Sequence, residues 1–137
     1  MTTTSHELKA HLNAPFDMCR GLIVDALKAE GFGVLTEIDV QAVMLDSLGT
    51  DMPRYIILGA CNPQLAHSAL MEDHDVGLLL PCNVVVREDE YGGTVVSMAD
   101  PVVLARISNS SALQSISVTA REKLAHALRS IIDESME

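Results

Sequence analysis

Two short apolar runs near the middle of the chain, each ending in a cysteine and an asparagine, constrain the fold more than any other feature. Segment 55–62 has the sequence YIILGACN, and segment 78–83 has the sequence LLLPCN. The residues of 55–60 are too rich in β-branched side chains and too few for a helix, so they predict a buried strand. We therefore expect any catalytic or ligand-binding residues of the chain to lie where these two runs end.

The segment Val76–Val86 predicts one long strand that is covered on both faces. Leu79 and Val85 make one face of this segment apolar, and the opposite face carries a longer set of apolar residues. Apolar side chains on both faces favour packing of other elements against both, part of it from another subunit. Pro81 within the run predicts an edge position or a bulge, since proline has no N–H to donate to a neighbouring strand. The apolar residues on the opposite face are Val76, Leu78, Leu80, Cys82, Val84 and Val86.

The remaining periodicities predict an α+β fold. A late hairpin and a long terminal helix favour an antiparallel sheet covered by helices, in the order strand-helix-strand-helix-strand-helix-hairpin-helix. Cap residues precede proline at Asn62-Pro63 and Asp100-Pro101, which predicts a helix start at each pair. The other predicted strands are 6–12, 32–38 and 94–99. The predicted helices are 15–31, 39–48, one that begins at 62, a short helix at 100–107, and a long helix at 112–132.

Composition sets the class of protein. With 137 residues, 48% of them apolar and 20% charged, residues 1–137 are expected to form a single globular domain. Two Phe, two Tyr and no Trp leave few platforms for base stacking, and a net charge of −10 repels nucleic acid and anionic membranes. We therefore expect neither nucleic acid nor an anionic membrane as a partner.

The first seven residues lack the pattern of a signal peptide, and no apolar run is long enough to span a membrane, so a cytoplasmic location is expected.

The three cysteines are expected to be free thiols in a reducing compartment. Cys19 lies on the apolar stripe of the first predicted helix and is interpreted as a core residue. Cys61 would end a strand at the start of the helix from Pro63, where helix amides favour a reactive thiolate, so it is the candidate catalytic residue. The alternative to a functional role for Cys61 is a structural one, as a small side chain that fills a tight corner between strand and helix. For Cys82, the structural alternative is a core residue on its strand.

Three further residues complete the predicted ligand-binding set of Cys61, Asn62, His67, Cys82 and Asn83. Asn62 is also interpreted as a helix cap, and Asn83 as an amide that satisfies backbone at a bulge. A pair of Cys61 and His67 could activate a nucleophile, yet no oxyanion donor is evident. Zinc would need two ligands besides the cysteines, for which His67 and His74 are the nearest, and we predict no metal site and no cofactor.

The chain resembles the domain-of-unknown-function family 302, a bacterial and archaeal family of small domains. The similar segments are 30–39 (EGFGVLTEID), 58–63 (LGACNP) with 65–67 (LAH), and 77–86 (GLLLPCNVVV). The likeness covers about residues 8–132. It implies an α+β domain of TATA-box-binding-protein-like layout that assembles as a homodimer. Such a layout does not imply DNA binding, because fold does not determine function.

Our hypothesis from the sequence is a cytoplasmic homodimer that binds a small ligand or a partner near the corner at Cys61 and Asn62, without turnover. The alternative is a thiol-dependent role in redox, sulfur transfer or soft-metal handling, with Cys61 as the working sulfur and Cys82 or His67 assisting. A purely architectural subunit is a third reading, which the absence of a concave pocket beside Cys61 would favour.

Overall fold

The computed structural model describes residues 4–135, with side chains described for residues 7–132. Six strands form one sheet in the order β1-β2-β6-β5-β4-β3, and every neighbouring pair is antiparallel. The α+β class with an antiparallel sheet is thus confirmed. The strands are β1 (Thr4–His6), β2 (Lys9–Leu12), β3 (Gly33–Asp39), β4 (Tyr55–Cys61), β5 (Cys82–Glu88) and β6 (Thr94–Met98). The helices are α1 (Phe16–Ala29), α2 (Val40–Leu48), α3 (Pro63–Glu72) and α4 (Ser111–Ser135), with 3₁₀ helices at His74–Leu79 and Pro101–Arg106.

Helices α1 and α4 pack against each other and cover one face of the sheet. In α1 the buried residues follow helical spacing, as the sequence predicted, because every third or fourth position returns to the same side. In β2 and β5 the buried partners alternate with more exposed residues, which is the period of a half-buried strand. The main core includes Leu12, Phe16, Cys19, Ile23, Leu27, Leu58, Val84, Val86, Val96, Leu124 and Leu128. Despite its 25 residues, α4 is not apolar enough to cross a membrane, and the same holds for each helix within residues 4–135.

The prediction of one long strand at Val76–Val86 is wrong. Asp73 accepts a hydrogen bond from the N–H of Asp75 at 2.9 Å and begins the first 3₁₀ helix, and β5 begins only at Cys82. Val76 is fully buried in a second apolar cluster with Ala69, Leu104 and Leu113. Val76, and in part Leu80, therefore pack between helices instead of in the sheet, while Leu78 is 83% exposed.

Pro81 lies outside the sheet, so the predicted edge position or bulge is also wrong. It directly precedes β5, which is a central strand between β4 and β6. A proline in this position removes no N–H from the ladder.

The predicted strand 6–12 is divided into β1 and β2, which form a hairpin with His6 opposite Lys9. The predicted buried face is correct, since Leu8, Ala10 and Leu12 are each at most 7% exposed. The two-residue turn reverses the chain after β1, which lets β1 extend the sheet beyond β2.

Within residues 4–135, the sheet face opposite α1 and α4 is not covered by a second layer of helices. Helix α2 packs against β4 but buries none of its nine residues. Ile57 and Val85, which face each other on this side, remain half-buried, and Ile38 beside Ile57 is 47% exposed. The cover predicted from another subunit would fall on this face, and it stays a prediction.

Candidate binding cavity

The corner between β4 and α3 forms as its sequence predicts. Cys61 is the last residue of β4, and the Asn62 side chain caps α3 by accepting a hydrogen bond from the N–H of Leu65 at 3.2 Å. Pro63 occupies the first helical position, where a missing N–H has no cost. The Asn62 amide also donates to the carbonyl of Glu30 at 3.4 Å. One side chain thus fixes the start of α3 and ties it to the end of α1.

Cys82 is brought to the same end of the sheet by the pairing of β4 with β5. It lies opposite Ala60, the residue before Cys61. Both cysteines are half-buried, both are free thiols, and both line one cavity. The sequence predicted that the two sulfurs could approach each other if these strands paired. The strands do pair, and the approach of the sulfurs stays a prediction.

The cavity has a volume of about 60 Å³ and lies between the ends of β4 and β5, α3, α4 and the two 3₁₀ helices. Its walls are mainly apolar. Leu79, one of the wall residues, is 36% exposed, so the cavity reaches the protein surface. Other apolar wall residues are Leu65, Ala66, Leu80, Leu104, Ile116 and Leu124.

The carboxylate of Asp100 at the cavity wall already has partners. One oxygen accepts a hydrogen bond from the N–H of Val102 at 3.0 Å, and the other accepts one from Nε of Arg121 at 3.1 Å. The first bond caps the second 3₁₀ helix, and the second ties this helix to α4. Asp100 is therefore fixed as a structural carboxylate and is poorly placed to act as a base.

Cys82 is held as a neutral thiol. Its Sγ–H donates to the carbonyl of Ala99 at 3.5 Å. Burial raises the pKa of Cys82 to about 11, and the nearby negative charge of Asp100 raises it further in the same direction. Since the thiolate is the nucleophile and the metal ligand, Cys82 is poorly suited to either role at neutral pH.

His67 and Asn83 are placed away from the cavity. His67 is an exposed residue of α3 and is not part of the wall. Asn83 is exposed and pairs with Gly59 on the strand ladder, and its carbonyl accepts a hydrogen bond from the N–H of Ala99 at 3.0 Å. The structure thus brings together Cys61, Asn62 and Cys82 of the predicted set and leaves the other two outside. Ligand binding by any of the five stays a prediction.

Sequence reasoning missed the contribution of the second 3₁₀ helix and of α4 to this site. Asp100 and Pro101 line the cavity together with Asn62, so two cap-and-proline turns meet at one place. The repetition of this pair was visible in the sequence and is the signal that could have linked them. Within residues 4–135, no three His, Cys, Asp or Glu side chains form a group that could hold a metal ion.

Comparisons with known proteins agree on one family. The family model described as "Domain of unknown function DUF302" matches residues 8–131. The fold is similar to the crystal structure of an uncharacterised conserved protein DUF302 from Bacillus stearothermophilus, with 32% sequence identity and a TM-score of 0.80 over 88% of this chain and 94% of that chain. No curated protein matches the chain. The chain therefore belongs to the DUF302 family, as the segments around the two cysteines indicated.

Proposed function

We propose that this protein is a binding domain, active as a homodimer and without turnover, which holds the apolar end of a small ligand in the cavity beside Cys61 and Asn62. The observation that carries the proposal is the cavity itself: an apolar hollow that reaches the surface at a strand-to-helix corner. Concave apolar sites with a few polar groups are where small molecules bind. A purely architectural subunit would have no need of such a hollow.

The size of the cavity supports binding of one end of a ligand. Cavities of roughly 150 Å³ accept benzene, and pockets for whole drug-sized ligands have about 300–1,000 Å³. At about 60 Å³, this cavity is smaller than either. The part of a ligand that enters it is therefore a short aliphatic group, while the remainder lies outside.

The polar groups at the wall support binding without a reaction. Cys82 is a protonated thiol and Asp100 is engaged with Val102 and Arg121. The thiol-dependent alternative would need Cys61 to act without Cys82 as a thiolate partner, and His67 is exposed on α3 away from the wall. No specific observation favours that alternative.

A series of n-alkanols, followed by backbone amide shifts in NMR, tests the cavity. We expect saturable shifts at cavity residues, and we expect Ala66→Leu to abolish them because Ala66 lies in the wall and the larger side chain fills the space. Ala66→Val should weaken binding to an intermediate degree. Ala29→Leu, at an exposed position of α1, is the matched control and should leave binding unchanged. Unchanged alkanol binding in a folded Ala66→Leu would refute the proposal.

For the homodimer, we propose that a second copy covers a surface formed by β3 and α2, here called the β3–α2 surface. Its apolar side chains are each between 46% and 70% exposed. Several exposed apolar side chains on one surface are unusual for a monomeric protein and are typical of an interface. In the sheet formed by residues 4–135, β3 is an edge strand, and an identical strand related by a twofold axis can pair with it in antiparallel fashion. The apolar residues of the surface are Leu35, Ile38, Val43, Leu45 and Leu48.

A cytoplasmic location is the remaining part of the proposal. It is supported by three cysteines that are all free thiols, one of them fully buried. Cell fractionation should recover the protein with the cytosol, carrying three thiols that a maleimide labels after denaturation. Recovery with the membrane or outside the cytoplasm would contradict it.

A further inference from the structure

A groove whose walls carry both charged and apolar side chains lies next to the apolar cavity. It has a volume of about 420 Å³, and its walls include Glu7, Lys9, Ser97, Asp100 and Arg121. Asp100 belongs to the walls of both hollows. The chain from Ser97 to Leu104 lines the groove and then the cavity, so the two hollows adjoin each other at Asp100.

Arg121 is the centre of the groove. Its Nη1 contacts a carboxylate oxygen of Glu7 at 2.5 Å, and its Nε donates to Asp100 at 3.1 Å. Asp100 is fixed by a further hydrogen bond from Val102, whereas the Glu7 side chain is 65% exposed and contacts Arg121 through one oxygen. An exposed ion pair of this kind contributes little, so another carboxylate can replace Glu7 at small cost. Lys9 adds a second positive charge to the groove wall.

We propose that the ligand is an aliphatic carboxylate, whose methyl end fills the cavity and whose carboxylate replaces that of Glu7 on Arg121. This inference rests on the proposed binding function and specifies its ligand class. The small cavity excludes an aromatic ring, because benzene needs a cavity of roughly 150 Å³, so the part of the ligand that enters it is aliphatic. The guanidinium selects a carboxylate over a hydroxyl, because its planar fork donates two hydrogen bonds in the geometry of a carboxylate.

Calorimetric titration with butanoate, hexanoate and octanoate, each compared with the 1-alkanol of the same length, tests the proposal. Affinity is expected to rise about fourfold with each added methylene until the cavity is full. Octanoate should bind more tightly than 1-octanol by up to about fivefold, which is what an ion pair of about 1 kcal/mol contributes. Arg121→Gln should remove this preference by weakening octanoate binding more than 1-octanol binding, and a circular dichroism spectrum equal to that of the wild type shows that the variant is folded.

Two further variants separate the roles in the groove. Glu7→Gln should raise octanoate affinity, because the competing carboxylate is gone from Arg121. Arg106→Gln, at an exposed arginine outside the groove, is the matched control and should change nothing. Equal binding of octanoate and 1-octanol, or an unchanged preference in Arg121→Gln, would overturn this inference yet leave the cavity function standing. Absence of binding by both series would overturn the cavity function as well.

Discussion

Gly59 is a residue whose identity follows from the packing around one strand. A Cβ added at this position would lie 2.2 Å from Oγ1 of Thr36 and 2.8 Å from Cγ of Pro81. Both distances are far below ordinary contact, so a neighbour would have to move. The absence of a side chain therefore lets Pro81 lie directly against β4 and places Cys82 at the start of β5 beside it.

We expect Gly59→Ala to lower the free energy of unfolding by about 1–3 kcal/mol, since overpacking forces backbone shifts. Urea denaturation measures this. Gly21→Ala is the control, because no atom lies within 4 Å of its added Cβ and alanine favours a helix. That variant should be more stable by about 0.5–1 kcal/mol. If Gly59→Ala were neutral, the close contact of Pro81 with β4 would be wrong.

Cys82 gives the protein a pH dependence of stability in the alkaline range. The folded state raises the pKa of this thiol from 9.0 to about 11, so it holds the proton more tightly than the unfolded chain does. The stabilisation is complete below pH 9 and is lost as the pH rises toward 11. Relative to Cys82→Ala, the wild type should lose up to about 2 kcal/mol over this range. Urea denaturation of both proteins at several pH values checks the difference, and parallel curves would contradict the burial of the thiol.

At the scale of elements, α3 depends on one asparagine. Asn62 caps the helix through Leu65 and also binds the Glu30 carbonyl at the end of α1. Asn62→Ala should lower stability by about 1–2 kcal/mol, because the cap and the link between the two helices are both lost. Asn62→Asp keeps the cap acceptor and loses only the donor to Glu30, so its loss should be smaller. Thermal and urea unfolding compare the three proteins, and equal losses would show that the cap contributes nothing.

At the scale of the whole molecule, the β3–α2 surface is expected to join two copies. Ile38→Lys and Leu48→Lys should convert the dimer to a monomer, since a buried lysine without a partner opposes association. The molar mass measured by light scattering after size exclusion should fall from that of two chains to that of one. Tyr91→Lys, at a residue that is 91% exposed elsewhere, is the control and should leave the mass unchanged. A wild type with the mass of one chain would contradict the dimer.

The net charge of the chain sets how salt acts on such a dimer. Two copies that each carry a formal charge of −10 repel each other, and salt screens this repulsion. The dissociation constant should therefore fall as NaCl rises from about 0.05 M to about 0.5 M. Analytical ultracentrifugation across this range measures the trend. A dissociation constant that rises with salt would indicate an interface held by ion pairs instead of by apolar contact.

Local signals in the sequence determined much of the fold. The apolar spacing of α1, the cap of Asn62 on α3 and the pair Asp100-Pro101 each depend on residues within a few positions of one another, so they could be recognised without knowing the tertiary structure. The corner at Cys61 followed from the same local chemistry, because a strand directly precedes a capped helix.

Features that depend on contacts between residues distant in the sequence could be determined only from the tertiary structure. The apolar run Val76–Leu80 contains the alternation of a strand and, at Val76 and Leu79, the three-residue spacing of a 3₁₀ helix. Burial of Val76 against Leu104 and Leu113 selected the latter. The cavity requires residues from Asn62 to Leu124 to converge, and the groove requires Arg121 to meet Glu7 across more than a hundred residues. Sequence periodicity specifies which side of an element is apolar. It does not specify which other element that side packs against, because burial is non-directional and is satisfied by any apolar partner of the right shape.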